Sequence, residues 1–152
     1  MTHLTFWCET AEHVVAVCDA AGTPLFAFGG FGHQPGRFDS PIDVTLVRPE
    51  FCGEPPLGVV DTLYLAVADY GNARVQIFDL HGVLAASLTE EIEGIGRPCR
   101  LAWRAPFLEV EGVDGVRTRV HLGAALLVHD AAREPVTSTV RAKTPDMRWA
   151  IC

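Results

Sequence analysis

Six histidines, His3, His13, His33, His81, His121 and His129, are the side chains of this 152-residue chain best suited to hold a metal or move a proton. None stands at His-x-x-x-His or another local ligand spacing, so a metal centre would need distant positions to converge, and metal ligation stays open. His81 falls at the tip of a turn and His33 in a polar Gly-His-Gln-Pro-Gly loop, both suited to solvent-facing rings. Asp69, Asn72 and Arg74 form the densest polar cluster. They surround a tight turn whose backbone groups need partners: Asp and Asn satisfy turn amides, and an Arg at the next strand reaches a carboxylate or a carbonyl of the adjoining element. The triplet therefore reads as architecture.

Glu109, Glu111 and Asp114 lack the closely spaced oxygens and central glycine of a calcium loop. Cys8, Cys18, Cys52, Cys99 and Cys152 make an odd count without a Cys-x-x-Cys pair, which argues for reduced thiols over a disulfide framework or a zinc knuckle. Cys52 is the cysteine to test for reactivity. Trp103 beside Arg97, Arg100 and Arg104, and Trp149 beside Arg141, Lys143 and Arg148, are basic and aromatic groupings of the kind that stack bases and hold phosphates. With only three cations in each and a net charge of −7, packing or subunit contact is the better expectation, and nucleic acid is a poor partner. There is no Gly-rich phosphate loop, Ser-His-Asp order or paired-carboxylate motif. No catalytic or cofactor-binding residue is assigned, and no cofactor is expected.

The elements that carry these residues follow from composition and period. A content of 49% hydrophobic and 20% charged residues suits one soluble domain over residues 1–152. Neither a signal-like N-terminus nor eighteen consecutive apolar residues occurs, so no membrane span and a cytoplasmic location are expected. Apolar residues alternate with polar ones at period two, as half-buried antiparallel ribbons require, with little sign of a long amphipathic helix.

The chain also repeats. A shift of 60 positions lays Asp19-Ala20-Ala21-Gly22 on Asp79-Leu80-His81-Gly82, Val15-Ala16-Val17 on Val75-Gln76-Ile77, and residues 4–9 on 64–69. A shift of 57 lays Pro98 on Pro41 and starts a degenerate third unit. Three strands are expected over 4–28, four over 42–88, and three or four over 99–140, with the chain beginning at the second strand of its first unit. Cys8, Cys18 and Cys99 fall on the positions of Ala68, Phe78 and Ile42, which suits small core residues. Each Asp-x-x-Gly fits a type I turn with glycine at positive φ.

In the third unit, a loop of three residues, Val113-Asp114-Gly115, pairs Gly112 with Val116. That register sets Glu111 opposite Arg117, Glu109 opposite Arg119 and Leu108 opposite Val120. The one long connection, 48–58, is expected as an irregular surface loop, equally compatible with a functional loop and a tolerated insertion.

Gly36-x-Phe38-x-x-Pro41, then Val67-Ala68-Asp69-Tyr70-Gly71-Asn72-Ala73-Arg74-Val75-Gln76-Ile77-Phe78, then Asp79-x-x-Gly82 resembles the NHL-repeat family, clearly over residues 29–88 and weakly elsewhere. Ala73 stands where that family has its name-giving histidine. The resemblance implies a β-propeller of four-stranded antiparallel blades, typically six, serving mostly as a platform for protein or RNA; a few relatives, such as the amidating lyases with a channel zinc, are enzymes. Phe38, Pro41, Asp69, Asn72, Arg74, Asp79 and Gly82 are then the structural residues of the signature. The chain holds two to three blades: a partial one over 1–30, a full one over 31–90 and a degenerate one over 91–152. Because a propeller escapes open sheet edges only by closing its ring, self-association is expected, most simply a dimer that completes six blades. The functional expectation is a non-enzymatic binding or interaction module presenting loops to a protein or small ligand. The alternative is a propeller enzyme, a metal-dependent lyase or hydrolase with its site in the central channel.

Overall fold

Short runs of β-branched and aromatic residues, cut by Asp, Gly and Pro, dictate strands joined by tight turns. The computed structural model describes residues 3–48, 63–90, 94–123 and 125–126. It contains ten strands: β1 (Leu4–Glu9), β2 (Val14–Asp19), β3 (Pro24–Gly29), β4 (Pro41–Val47), β5 (Tyr64–Asp69), β6 (Arg74–Asp79), β7 (Leu84–Leu88), β8 (Pro98–Arg104), β9 (Phe107–Gly112) and β10 (Arg117–His121). They form three antiparallel sheets, in the orders β1-β2-β3, β4-β5-β6-β7 and β10-β9-β8. The fold is all-β. No helix among the described residues is long and apolar enough to cross a membrane. Most of the 48–58 connection with Cys52, and the C-terminal stretch with His129, Arg141, Lys143, Arg148, Trp149 and Cys152, lie outside the described residues.

The 60-residue repeat is visible in the backbone. β1 and β5 each run into a single 3-10 turn, Thr10–Glu12 and Tyr70–Asn72, and each turn closes on a left-handed residue, His13 (φ 59°) and Ala73 (φ 51°). Asp19 Oδ1 accepts the N–H groups of Ala21 and Thr23, and Asp79 Oδ1 those of His81 and Val83. The shift of 57 is visible too: the pairing of β4 with β5 slips after Pro41, and that of β8 with β9 slips after Pro98.

One core cluster lies between the first and second sheets, built on Val15, Val17, Phe28, Phe38, Leu65 and Phe78. A second lies between the second and third sheets, built on Val47, Ala66, Ile77, Leu88, Leu108, Val110 and Val120. The second sheet is thus covered on both faces. This corrects the expectation of half-buried ribbons: β5 and β6 are buried almost throughout, because neighbouring sheets take both of their sides. Asp69 and Gln76 are the buried polar residues of the described chain.

In the third sheet the hairpin register is the expected one, with Glu111 opposite Arg117, Glu109 opposite Arg119 and Leu108 opposite Val120. The Gly112 N–H donates to the Val116 carbonyl at 2.9 Å. The grouping around Trp103 does not form a patch. Period two sends Leu101 and Trp103 to the core and Arg100 and Arg104 to the opposite face, while Arg97 lies over the Tyr70 ring at 5.5 Å.

Candidate functional site

The chain leaves β3 through Gly29 and Gly30, both at φ above 100°, and crosses to β4 as a loop over 30–40. Glycine is required at 29 because a Cβ there would overlap the buried Phe38 ring. Phe38 anchors the loop in the core between the first two sheets, and its N–H donates to the Gly30 carbonyl at 2.9 Å.

The second sheet clasps this loop with its own side chains. Asp69, with no solvent exposure, accepts the Asp39 N–H on Oδ1 (2.8 Å), and on Oδ2 it accepts Arg74 Nε (2.8 Å), Asn72 Nδ2 (2.9 Å) and Gln76 Nε2 (3.2 Å). Arg74 then spends its remaining donors on the loop backbone, reaching the carbonyls of His33 (3.0 Å), Gln34 (3.0 Å) and Arg37 (2.8 Å). Gln76 accepts the Gly36 N–H and donates to the Arg37 carbonyl, and Asn72 donates to the Gly32 carbonyl. A buried carboxylate is tolerable only when paired and fully hydrogen-bonded, and here it organises three donors that hold a loop of irregular backbone. The Arg74 fork is what spans three carbonyls; an ammonium would not.

The first sheet stitches the other side of the loop. His13 Nδ1 accepts the Ser40 N–H (2.9 Å), Gly30 donates to the His13 carbonyl (2.8 Å), and Thr10 Oγ1 donates to the Pro41 carbonyl (2.8 Å). Gly71 sits against the loop, donating to the Asp39 carbonyl at 2.8 Å, and a Cβ on it would come within 2.6 Å of that oxygen. Gly71→Ala is expected to cost about 1–3 kcal/mol of stability, because the clash is with backbone that cannot rotate away; urea unfolding measures it.

Held this way, the loop presents Phe31, a residue 63% exposed. Two imidazoles stand edge-on to it, His13 at 4.9 Å and His33 at 5.7 Å between ring centres. Their tautomers follow from their partners. His13 Nδ1 accepts, so its proton sits on Nε2; Asn72 spends its amide N–H groups on Gly32 and Asp69, so its oxygen accepts from His33 Nδ1, and in the neutral ring the lone pair is then on His33 Nε2. The result is an aromatic platform flanked by one donor and one acceptor.

The signature residues named from the sequence thus divide between clasp and frame. Asp69, Asn72 and Arg74 converge on the loop, Phe38 and Pro41 fix its exit, and Asp79 and Gly82 close a turn that joins β6 to β7. The Arg74 acceptors are carbonyls of the incoming loop. Among the described residues the third unit has no such clasp, since Gly112 pairs with Pro98 where Asp69 pairs with Pro41. Phe31, Asp39 and Gln76 are not singled out by the sequence, and His13 stands out there only as one of six histidines. The available signals were an aromatic residue inside Gly-Gly-Phe-Gly and a lone glutamine inside Val-Gln-Ile-Phe.

Of the other described histidines, His81 is exposed on its turn, and His121 lies against Phe107 at 5.6 Å on the third sheet. Among the described residues no group of three or more His, Cys, Asp or Glu is placed to hold a metal ion. Cys18 is buried, and that burial, with Asp19 beside it, pushes its thiol above the ordinary cysteine pKa and keeps it protonated. Cys8 and Cys99 are half-buried. No protein-family model and no curated protein matches the chain in sequence comparisons.

Proposed function

We propose that the chain is a non-enzymatic binding module of the β-propeller type, its three sheets being blades of an arc. On this reading it presents the end of the arc that carries Phe31 to a protein or small ligand. The observation that carries it is an aromatic residue 63% exposed on a loop with its backbone clasped by Asp69, Asn72, Arg74 and Gln76. A rigid, flanked aromatic anchor contributes to binding without an ordering cost. Further support comes from where apolar side chains meet water. The loop over 30–40 and the turn over 113–116 lie at the same end, because Leu101 N–H reaches Asp43 Oδ2 and Arg97 covers Tyr70. Among the described residues Phe31, Val113 (58%) and Val116 (59%) are the three most exposed large apolar residues, and all are at that end.

Propeller geometry is supported by the NHL-like residues and by β4, which touches both β1 and β8 as an inner strand would. Self-association of the arc belongs to this reading, as does a reducing, cytoplasmic location suited to free thiols. Light scattering reads the first directly.

Phe31→Ala tests the platform. Its unfolding free energy should stay within about 0.5 kcal/mol of wild type, as for surface positions. Affinity for a purified partner, first captured on the immobilised protein and identified, should fall at least about tenfold. Leu25→Ala, at the opposite end, should bind as wild type. Full affinity in Phe31→Ala with a loss in Leu25→Ala would place the binding surface elsewhere.

A further inference from the structure

The three strands of the third sheet follow the plan of the first three strands of the second and carry opposite chemistry on one face. Facing the third sheet, the second sheet carries rows Asp43-Ala68-Val75 and Thr45-Ala66-Ile77, of which Ala66, Val75 and Ile77 are buried in the core cluster between the two sheets. At the equivalent positions the third sheet carries Arg100-Glu111-Arg117 and Ala102-Glu109-Arg119, on the side turned away from its apolar neighbour. Each glutamate sits in the central strand between the two flanking strands. Arg104 meets Glu109 at 3.0 Å, Arg119 meets Glu109 at 3.6 Å and Arg117 meets Glu111 at 3.7 Å. Arg104, Arg117 and Arg119 remain 58–71% exposed, and an open groove of about 210 Å³ runs between the rows.

We infer that the third sheet is a terminal cap: its outer face is built to stay in water, and no further sheet, including one from a second copy, stacks on it. The inference rests on the stacked-sheet reading above and narrows its assembly. Head-to-tail closure of two arcs would need this face to stack on the far side of the first sheet, but Val14, Ala16, Cys18 and Ala27 there are themselves only 0–4% exposed and form no open apolar surface. Stacking any sheet on the outer face of the third would strip water from four guanidiniums and two carboxylates, whereas stacked repeats end in a polar outer face where stacking stops. The six-blade ring expected from the sequence is therefore not formed through this surface, and any second copy docks elsewhere.

Two variants and a probe test this by light scattering and thiol labelling on the full chain. Glu109→Gln with Glu111→Gln should keep the wild-type mass at every concentration; a fall in mass would make the face an interface and overturn the inference. Replacing the charges with the second sheet's residues, Glu109→Ala, Glu111→Ala, Arg117→Val and Arg119→Ile, should raise the mass at least twofold with concentration. An unchanged mass in the folded variant would also overturn it. Should that variant not fold, Ala102→Cys decides. Its thiol, at the centre of the face, should label equally fast at all protein concentrations, and protection that grows with concentration would overturn the cap. A wild type that stays monomeric throughout would sink self-association alone, leaving the cap to the gain of association in the apolar variant.

Discussion

Arg74→Ala is expected to lower the unfolding free energy by about 3–5 kcal/mol, the cost of removing one partner from a buried ion pair. Arg74 is 11% exposed and Asp69 not at all, so losing the guanidinium leaves a buried carboxylate without its charged partner. The truncation leaves the Asp69 carboxylate with two side-chain amides and one backbone N–H, and it leaves the carbonyls of His33, Gln34 and Arg37 without the donor that gathered them. Arg74→Lys should recover little, because one ammonium cannot span a carboxylate and three carbonyls. Urea unfolding followed by circular dichroism measures the loss. Since the clasp holds the platform, His33 and Phe31 resonances should shift in the same variant under conditions where it remains folded. A cost below about 1 kcal/mol would mean that the loop over 30–40 holds itself without the second sheet.

Phe78→Ala is expected to cost a similar amount, about 3–5 kcal/mol, by a different route. Phe78 is 1% exposed on the face of β6 that meets the first sheet, with its ring 4.8 Å from Phe28 and 5.5 Å from Phe38. The three rings come from the first sheet, the crossing loop and the second sheet, so the cavity opens where all three join. Backbone on two sides is tied into strands and cannot collapse to fill it, which puts the loss at the upper part of the usual range for large-to-small changes. The midpoint of urea unfolding should fall without a change in slope. A loss near that of a surface substitution would show that the first two sheets do not depend on this contact.

The two predictions differ in how far the sequence pointed to them. Phe78 lies in the repeat signature, in a strand whose apolar run is plain. The clasp was half legible: Asp69, Asn72 and Arg74 stand within six positions and match a turn, yet the acceptors of Arg74 lie 37–41 residues away in the chain. They are backbone carbonyls, which every residue has and no residue type marks. Phe31 reads as a loop aromatic until its exposure and its two flanking rings are known. The Trp103 grouping misled because neighbours in sequence point to opposite faces of a strand, and only the sheet on one side of β8 separates Trp103 from Arg100 and Arg104.

Strand positions, turn chemistry and the Glu-Arg register of the third hairpin follow from local order along the chain. Period two, Asp-x-x-Gly and cross-strand charge act over a few residues and need no knowledge of the rest. Which strand faces are buried, which loop receives the Asp69 cluster, and which sheet ends the stack depend on contacts between segments tens of residues apart. Those contacts exist only once the sheets have packed, because burial, unlike alternation, is a property of what lies on the other side.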